Sequence, residues 1–342
     1  MIHIHLLVMV QANGTLFKDT IMSYIYNQVT AANNKLNSVI QNNNSVSATS
    51  NDPTSFVKTT PVYNNVTYDW FVFTKTASWI PTFSGSNKIA RILVVGGGGA
   101  GGGGNPDDST TGAYQGWSGG GGAGQVNDMW CMIKSGVTYY CTVGAGGASL
   151  SNGSQSRFYA MDAYTNTLGP DILGWGGGRG GWYSNGTGFT GACGGGAGDN
   201  GQGINNGGSG YANVGYDGGK NITALSGGNF GGAGGGGGNG SVGGDASKNS
   251  STGTHYGGNG GSGVQWIDGV WRGGGGGGSA GSYPNFTAVV GSGGLGGGAD
   301  GNVGIAGDGS QYTGGGGGGQ GANYGRAGHG GSGVIIIALP RI

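Results

Sequence analysis

The chain has 342 residues, of which 92 are Gly and 7 Pro, and its 14 Lys and Arg balance 14 acidic residues to a formal net charge of zero. Neutrality without a basic cluster excludes the electrostatic footprint of a nucleic-acid binder or of a protein held to an anionic membrane. The 10% aromatic content, with eight Trp, and only 8% charged residues argue against the disorder that so much Gly would otherwise imply.

All 14 acids are Asp, a turn and cap residue, so helix should be scarce. Met1 to Val10 lacks Lys and Arg and reads as a strand alternating Ile2, His3, Ile4 and His5 rather than a signal peptide. No segment is long enough to insert in a membrane as a helix. Met22, Ile25, Val29, Ala32, Leu36 and Val39 recur by threes and fours and form one seam of a helix expected over about 16–40. A narrow seam suits association, with a homotrimer as one arrangement and docking on a partner or on the chain's own domain as the other; fewer than three heptads is marginal alone. Residues 1–54, closed by the Asn/Ser-rich stretch from Asn42 to Pro53, are therefore expected to form an attachment or oligomerisation segment.

Residues 55–95 hold β-prone runs at Val62 to Thr67, Asp69 to Thr74 and Ile89 to Val95, and are expected to form a small β-sheet module. Residues 96–342 are then a glycine-rich domain bracketed by Ile92 to Val95 and Val334 to Ile337. Glycine blocks cannot be α-helical without losing on the order of 1 kcal/mol per residue relative to Ala, and they have no side chains to pack in a sheet. Polyproline II remains. Its backbone has no internal hydrogen bonds, and buried N–H and C=O groups need partners, so polyglycine rods should bond to one another. The expected fold is mainly β and irregular: a short N-terminal helix, a small sheet, and packed polyglycine rods with strands at the edges.

Gly97, Gly99 and Gly102 match the dinucleotide fingerprint, but Gly101 to Gly104, Asn105 and Pro106 deny it the helix it needs. Asp199, Asp245, Asp300 and Asp308 follow no calcium-binding nonapeptide frame. Neither a cofactor nor a metal is expected, and no nucleophile and base share a recognisable spacing, so catalysis has no sequence support. Of three Cys, Cys131 and Cys141 either pair across a hairpin or, with Cys193, stay reduced. Because rods have flat sides, recognition should fall to the aromatics between them: Tyr114, Trp117, Trp182, Tyr183, Tyr211, Tyr216, His255, Tyr256, Trp266 and Trp271. The competing reading is that these rings cover outer rod layers.

Phe73 to Pro81 followed by Ile89 to Val95 and the first glycine run, Tyr139 to Gly147, Asn152 to Phe158 with its Gly-x-x-Ser-x-Phe pattern, and Gly331 to Ile337 form an ordered set. Over roughly residues 70–342 this set resembles the glycine-rich domain at the ends of bacteriophage tail fibres. The resemblance implies a virion protein, not an enzyme, whose rods present loops to a host cell-surface receptor, either an outer-membrane protein or a glycan. Other tail or virion proteins would be held through the N-terminal segment. The alternative is a structural virion decoration or filament-forming surface protein.

Overall fold

Val94 and Val95 meet Ile335 and Val334 in antiparallel register, so the two apolar runs that bracket the glycines lie side by side. In this computed structural model residues 45–103, 117–160, 169–182, 185–199, 203–222, 231–281, 287–321 and 325–341 are described. The chain divides into Met1–Ser45 with Arg341–Ile342, and Val46–Pro340. The seam helix expected over about 16–40, and the strand near the N-terminus, lie outside the described residues.

Within Val46–Pro340, eleven strands form two sheets. The first orders β2 (Phe56–Thr59), β4 (Val66–Phe73), the closing strand Val334–Pro340, β6 (Asn87–Val95) and β7 (Val126–Lys134), with β3 (Val62–Tyr63) paired to β4. The second orders β1 (Ser47–Thr49), β5 (Ala77–Thr82), β8 (Tyr139–Thr142), β9 (Ser156–Ala160) and β10 (Asp171–Gly174). Period-two alternation puts Phe71, Phe73, Ile92, Val94, Ile335, Ile337 and Leu339 of the first sheet on one core with Trp79, Tyr139, Cys141, Phe158 and Ile172 of the second. Each such side chain, fully buried, contributes about 1.5–3 kcal/mol. Asn64 and Asn65, at φ 48° and 61°, make the two-residue turn between β3 and β4. The run expected to continue from Val62 to Thr67 is therefore a hairpin.

The expected division between residues 95 and 96 is not a boundary. The closing strand is the central partner of β4 and β6, so the sheet module cannot be completed without the last residues of the glycine-rich segment. β6 runs directly into Gly96, and the closing strand emerges directly from Gly333.

Beyond the strands, the glycine stretches bond laterally with a period of three. Gly96, Gly99 and Gly102 donate to the carbonyls of Gln125, Gly122 and Gly119; Gly97 and Ala100 donate to Ser154 and Ser151; Gly98 and Gly101 donate to Gly331 and Gly328. The carbonyls answer in kind: Gly97 and Ala100 accept from Gly177 and Gly180, Gly99 and Gly102 from Gly317 and Gln320, and Gly98 from Gly147. Every side of the stretch 96–103 is thus bonded to a neighbour, and three residues per turn is the period of polyproline II. Among the described residues there is no helix.

Candidate functional site

Rod direction decides which connections share an end. The rod 96–103 leaves β6 and runs away from the sandwich; Gly119 to Gln125 returns beside it, ending at β7. Following the same bonds rod by rod, the chain turns at Asn249 to Gly253 and at Asn302 to Ile305 on the far end, and at Tyr211 to Val214, Asn239 to Gly240, Leu295 to Gly297 and Gln311 to Thr313 on the sandwich end. Gly103, Trp117, Trp182, Asp199, Ile222, Gly231 and Gly281 also sit at the far end, where described stretches stop or resume.

A buried polar knot closes that far end. Ser118 donates its N–H to the Ser279 hydroxyl at 2.8 Å, and Ser279 Oγ donates to Gln320 O at 2.8 Å. Trp117 bridges to Asp199 through its backbone and lies against Gly231 and Gly281, where any Cβ would meet its indole. Glycine at 281 is what makes room for the ring, and glycine at 231 makes room first for the Asp199 carboxylate. Outside the knot, the turn after Lys248 is polar and uncharged, with Asn249, Ser250, Ser251 and Thr252 exposed and Asn249 Oδ1 capping the turn by accepting from Ser251 N at 2.9 Å.

The expected recognition aromatics do not gather in one place. Tyr114 and Tyr183 lie outside the described residues. Trp182 pairs with Asn185 at the far end, where Tyr256 is half-buried. Tyr211 and Tyr216 are exposed but stand at the sandwich end, as does Trp271. Three of the ten are interior: Trp117 at 5% exposure, Trp266 at 7% and His255 at 3%. Trp266 seals the second face of the six-stranded sheet, its ring 5.1 Å from Trp70 and packed with Leu93, Val95, Val334 and Ile336. Burial and the nearby Lys248 hold the His255 imidazole below its ordinary pKa. The physical reason is the scarcity of side chains: with so much glycine, the large rings are needed as lids.

Several further groups stand outside the expected set. Trp175 meets Tyr211 edge-on at 6.0 Å, and Val303 and Ile305 are exposed at the far end. Tyr140 faces outward beside the buried Tyr139, and here the in-out alternation of β8 would have signalled it. Arg179 lies over the Phe189 ring at 3.6 Å, and desolvation lowers its pKa. Among the described residues no three His, Cys, Asp or Glu could hold a metal.

Cys131, Cys141 and Cys193 are free thiols. Burial pushes Cys131 and Cys193 up to about 12, and Cys141 well above its ordinary value. The folded thiols therefore stay protonated at a pH where unfolded ones, titrating near 9.0, ionise. Their contribution to stability is complete below pH 9 and declines as pH rises toward 12. Two results are expected: no reaction with a thiol reagent at about pH 8 until urea unfolds the protein, and a lower urea midpoint at about pH 10.5 than at about pH 8. Rapid labelling of the native protein would contradict the assignment.

The family model of the glycine-rich domain matches residues 74–340. No curated protein matches the chain. The match spans the features on which the resemblance rests, and their physical roles are now visible: Phe158 fills the core, while Ser156 Oγ donates to Val95 O at 2.6 Å and accepts from Gly144 N at 2.8 Å. That serine fastens the second sheet to the start of the first rod.

Proposed function

Because the chain belongs to the glycine-rich domain family, we propose that it is a non-enzymatic receptor-binding protein of a bacteriophage tail, carried in the virion. In this reading the bonded glycine block presents its far end to a protein or glycan receptor on the bacterial host. The sandwich end faces the rest of the tail, and other tail or virion proteins are held through the N-terminal segment. The observation that carries the reading is the exposed, uncharged polar turn 249–252 on the end of the glycine block that lies away from the strands and packed rings of the sandwich. A laterally bonded block holds those turns at fixed spacing, which lowers the ordering cost of binding.

Purified protein should compete with phage for adsorption to host cells. Replacing residues 249–252 by a Gly/Ser segment should raise the concentration needed for half-inhibition by about tenfold or more. Leu295→Ser and Tyr312→Ser, at the opposite end, should leave it unchanged. Unchanged competition by the 249–252 variant, or loss of competition by the opposite-end variants, would reject this placement of the binding face.

One observation favours the second reading, a structural decoration or filament subunit. β7 ends its sheet, and Met129, Trp130 and Met132 stand exposed on it with Ile89 of β6 alongside. Uncovered apolar edges invite pairing with another chain. On that reading the protein self-associates at micromolar concentration and Trp130→Ser stops it; a monomer at tens of micromolar speaks for the receptor-binding role.

A further inference from the structure

The outer face of the five-stranded sheet carries a second constellation, remote from the far-end turns. Register places Ser78, Tyr140, Tyr159 and Asp171 in one row across β5, β8, β9 and β10. Along this row Tyr140 and Tyr159 stack at 5.2 Å and 23°. Arg157 covers the next position, its guanidinium 4.4 Å from the Tyr159 ring centre, and is itself held by Asp171 through two bonds of 2.7 and 2.8 Å. The layers therefore run Arg157, Tyr159, Tyr140, and there they stop. The residue opposite Tyr140 is Ser78, too small to cover a ring, so one side of Tyr140 borders a hollow of about 310 Å³.

The hollow's polar groups are unusually under-used. Asn51 Oδ1 accepts from Ser78 N at 2.8 Å and from Ser78 Oγ at 3.0 Å, which turns the amide in place and leaves Nδ2 as a donor without a partner among the described residues. Thr76 Oγ1 accepts from Val143 N at 3.1 Å and keeps its own proton to donate. The hydroxyls of Thr138 and Thr142, at the two ends of the hollow, have no protein partner among the described residues. None of the lining side chains is charged, and the adjacent Arg157 and Asp171 neutralise each other.

We propose that this hollow binds a neutral saccharide, one sugar ring lying against the open face of Tyr140 with its hydroxyls met by Asn51, Thr76, Thr138 and Thr142. The chemistry selects the class. A sugar ring offers an apolar C–H face that an aromatic ring can cover, and a rim of hydroxyls that both donate and accept. An anionic ligand would find no cation in the lining, and a purely apolar one would bury several unsatisfied polar groups. The volume is that of a small-ligand site. The site does not depend on the far-end reading, and the two fail separately.

The test is ligand-detected NMR with the full chain and uncharged oligomers of glucose, galactose, mannose and N-acetylglucosamine, with a uronic-acid oligomer beside them. At least one neutral oligomer should receive saturation from the protein. Tyr140→Ala should weaken its binding about tenfold, and Tyr140→Phe, which keeps the ring, should stay within about threefold. Tyr140 is 38% exposed on an outer face, so Tyr140→Phe should unfold at the temperature of the parent, and Tyr140→Ala, which loses the stacking on Tyr159, within a few degrees of it. The 249–252 replacement should leave saccharide binding intact. No binding of any neutral oligomer at millimolar concentration, equal binding by Tyr140→Ala, preference for the uronic acid, or loss in the 249–252 variant would each overturn the proposal.

Discussion

Gly101→Ala is expected to lower the unfolding free energy by about 4 kcal/mol or more, an overpacking loss at the upper end of the range for single substitutions. A Cβ at that position would stand 2.5 Å from the carbonyl carbon of Gly318 and closer still to its oxygen. The obstacle is backbone, so no rotamer change relieves it. Gly318 itself donates to Gly307, and Gly101 donates to Gly328, so moving either rod by the ~1 Å that normal carbon contact requires disturbs bonds on several sides. Gly304→Ala is the internal control, since the nearest atom to its Cβ would be Asn302 Oδ1 at 3.9 Å. That change should lie within about 0.5 kcal/mol of the parent or stabilise slightly, because Ala has the less floppy unfolded chain. Urea unfolding of the two variants makes the comparison, and equal losses would mean that the rods are not close-packed.

Asp69→Ala is expected to be destabilising by about 2–4 kcal/mol, for a different reason: it leaves the buried Val46 N–H without its acceptor and opens a cavity beneath β4, while the loss of the pair with the exposed Lys58 adds less. Asp69 sits on β4, fully buried, with Lys58 Nζ at 3.0 Å from Oδ1. Its other oxygen accepts the Val46 N–H at 2.8 Å, and Lys58 also donates to the Val46 carbonyl. One carboxylate therefore fastens the start of β1, the edge strand β2 and β4. Asp69→Asn keeps an acceptor for Val46 and fills the same space, and should lose less than half as much, since only the screened ion pair goes. If Asp69→Ala and Asp69→Asn are equally unstable, the hydrogen bond to Val46 contributes nothing.

What could be read from the residues alone depended on whether local chemistry or long-range pairing set the outcome. Polyglycine has so few options that exclusion was enough: neither a helix nor a packed sheet suits Gly96 to Gly103, and the unsatisfied backbone then demands neighbouring rods. The apolar runs Ile92 to Val95 and Val334 to Ile337 likewise declared themselves as strands. By contrast β7 went unseen because Asn127 and Asp128 are poor strand formers; the strand exists because β6 offers its edge and Arg91 a bidentate partner for Asp128. Asp171–Gly174 is too short to signal a strand, and only Ile172 in the core and the Arg157–Asp171 pair justify it. Most consequential for the site, sequence places an aromatic between two rods but not at an end. That depends on how many rods precede it, an odd or even count that no local pattern carries, and so Tyr211 and Trp182 fell into one candidate set although they occupy opposite ends. Trp117 and Trp266 show the second limit, because an aromatic needed as a lid and one free to bind have the same sequence neighbours.

In the proposed role the end away from the sandwich meets the receptor. Ser251 is exposed there, and Leu295 is exposed at the other end, so Ser251→Cys and Leu295→Cys each offer one reactive thiol while the three native ones, held protonated by burial, stay silent. Attaching a bulky polyethylene glycol maleimide to each and measuring binding of the labelled protein to host cells gives the most direct answer. Binding should be abolished by the label at position 251 and unchanged by the label at position 295; the reverse pattern, or binding indifferent to both, would rule out a receptor contact at the end away from the sandwich.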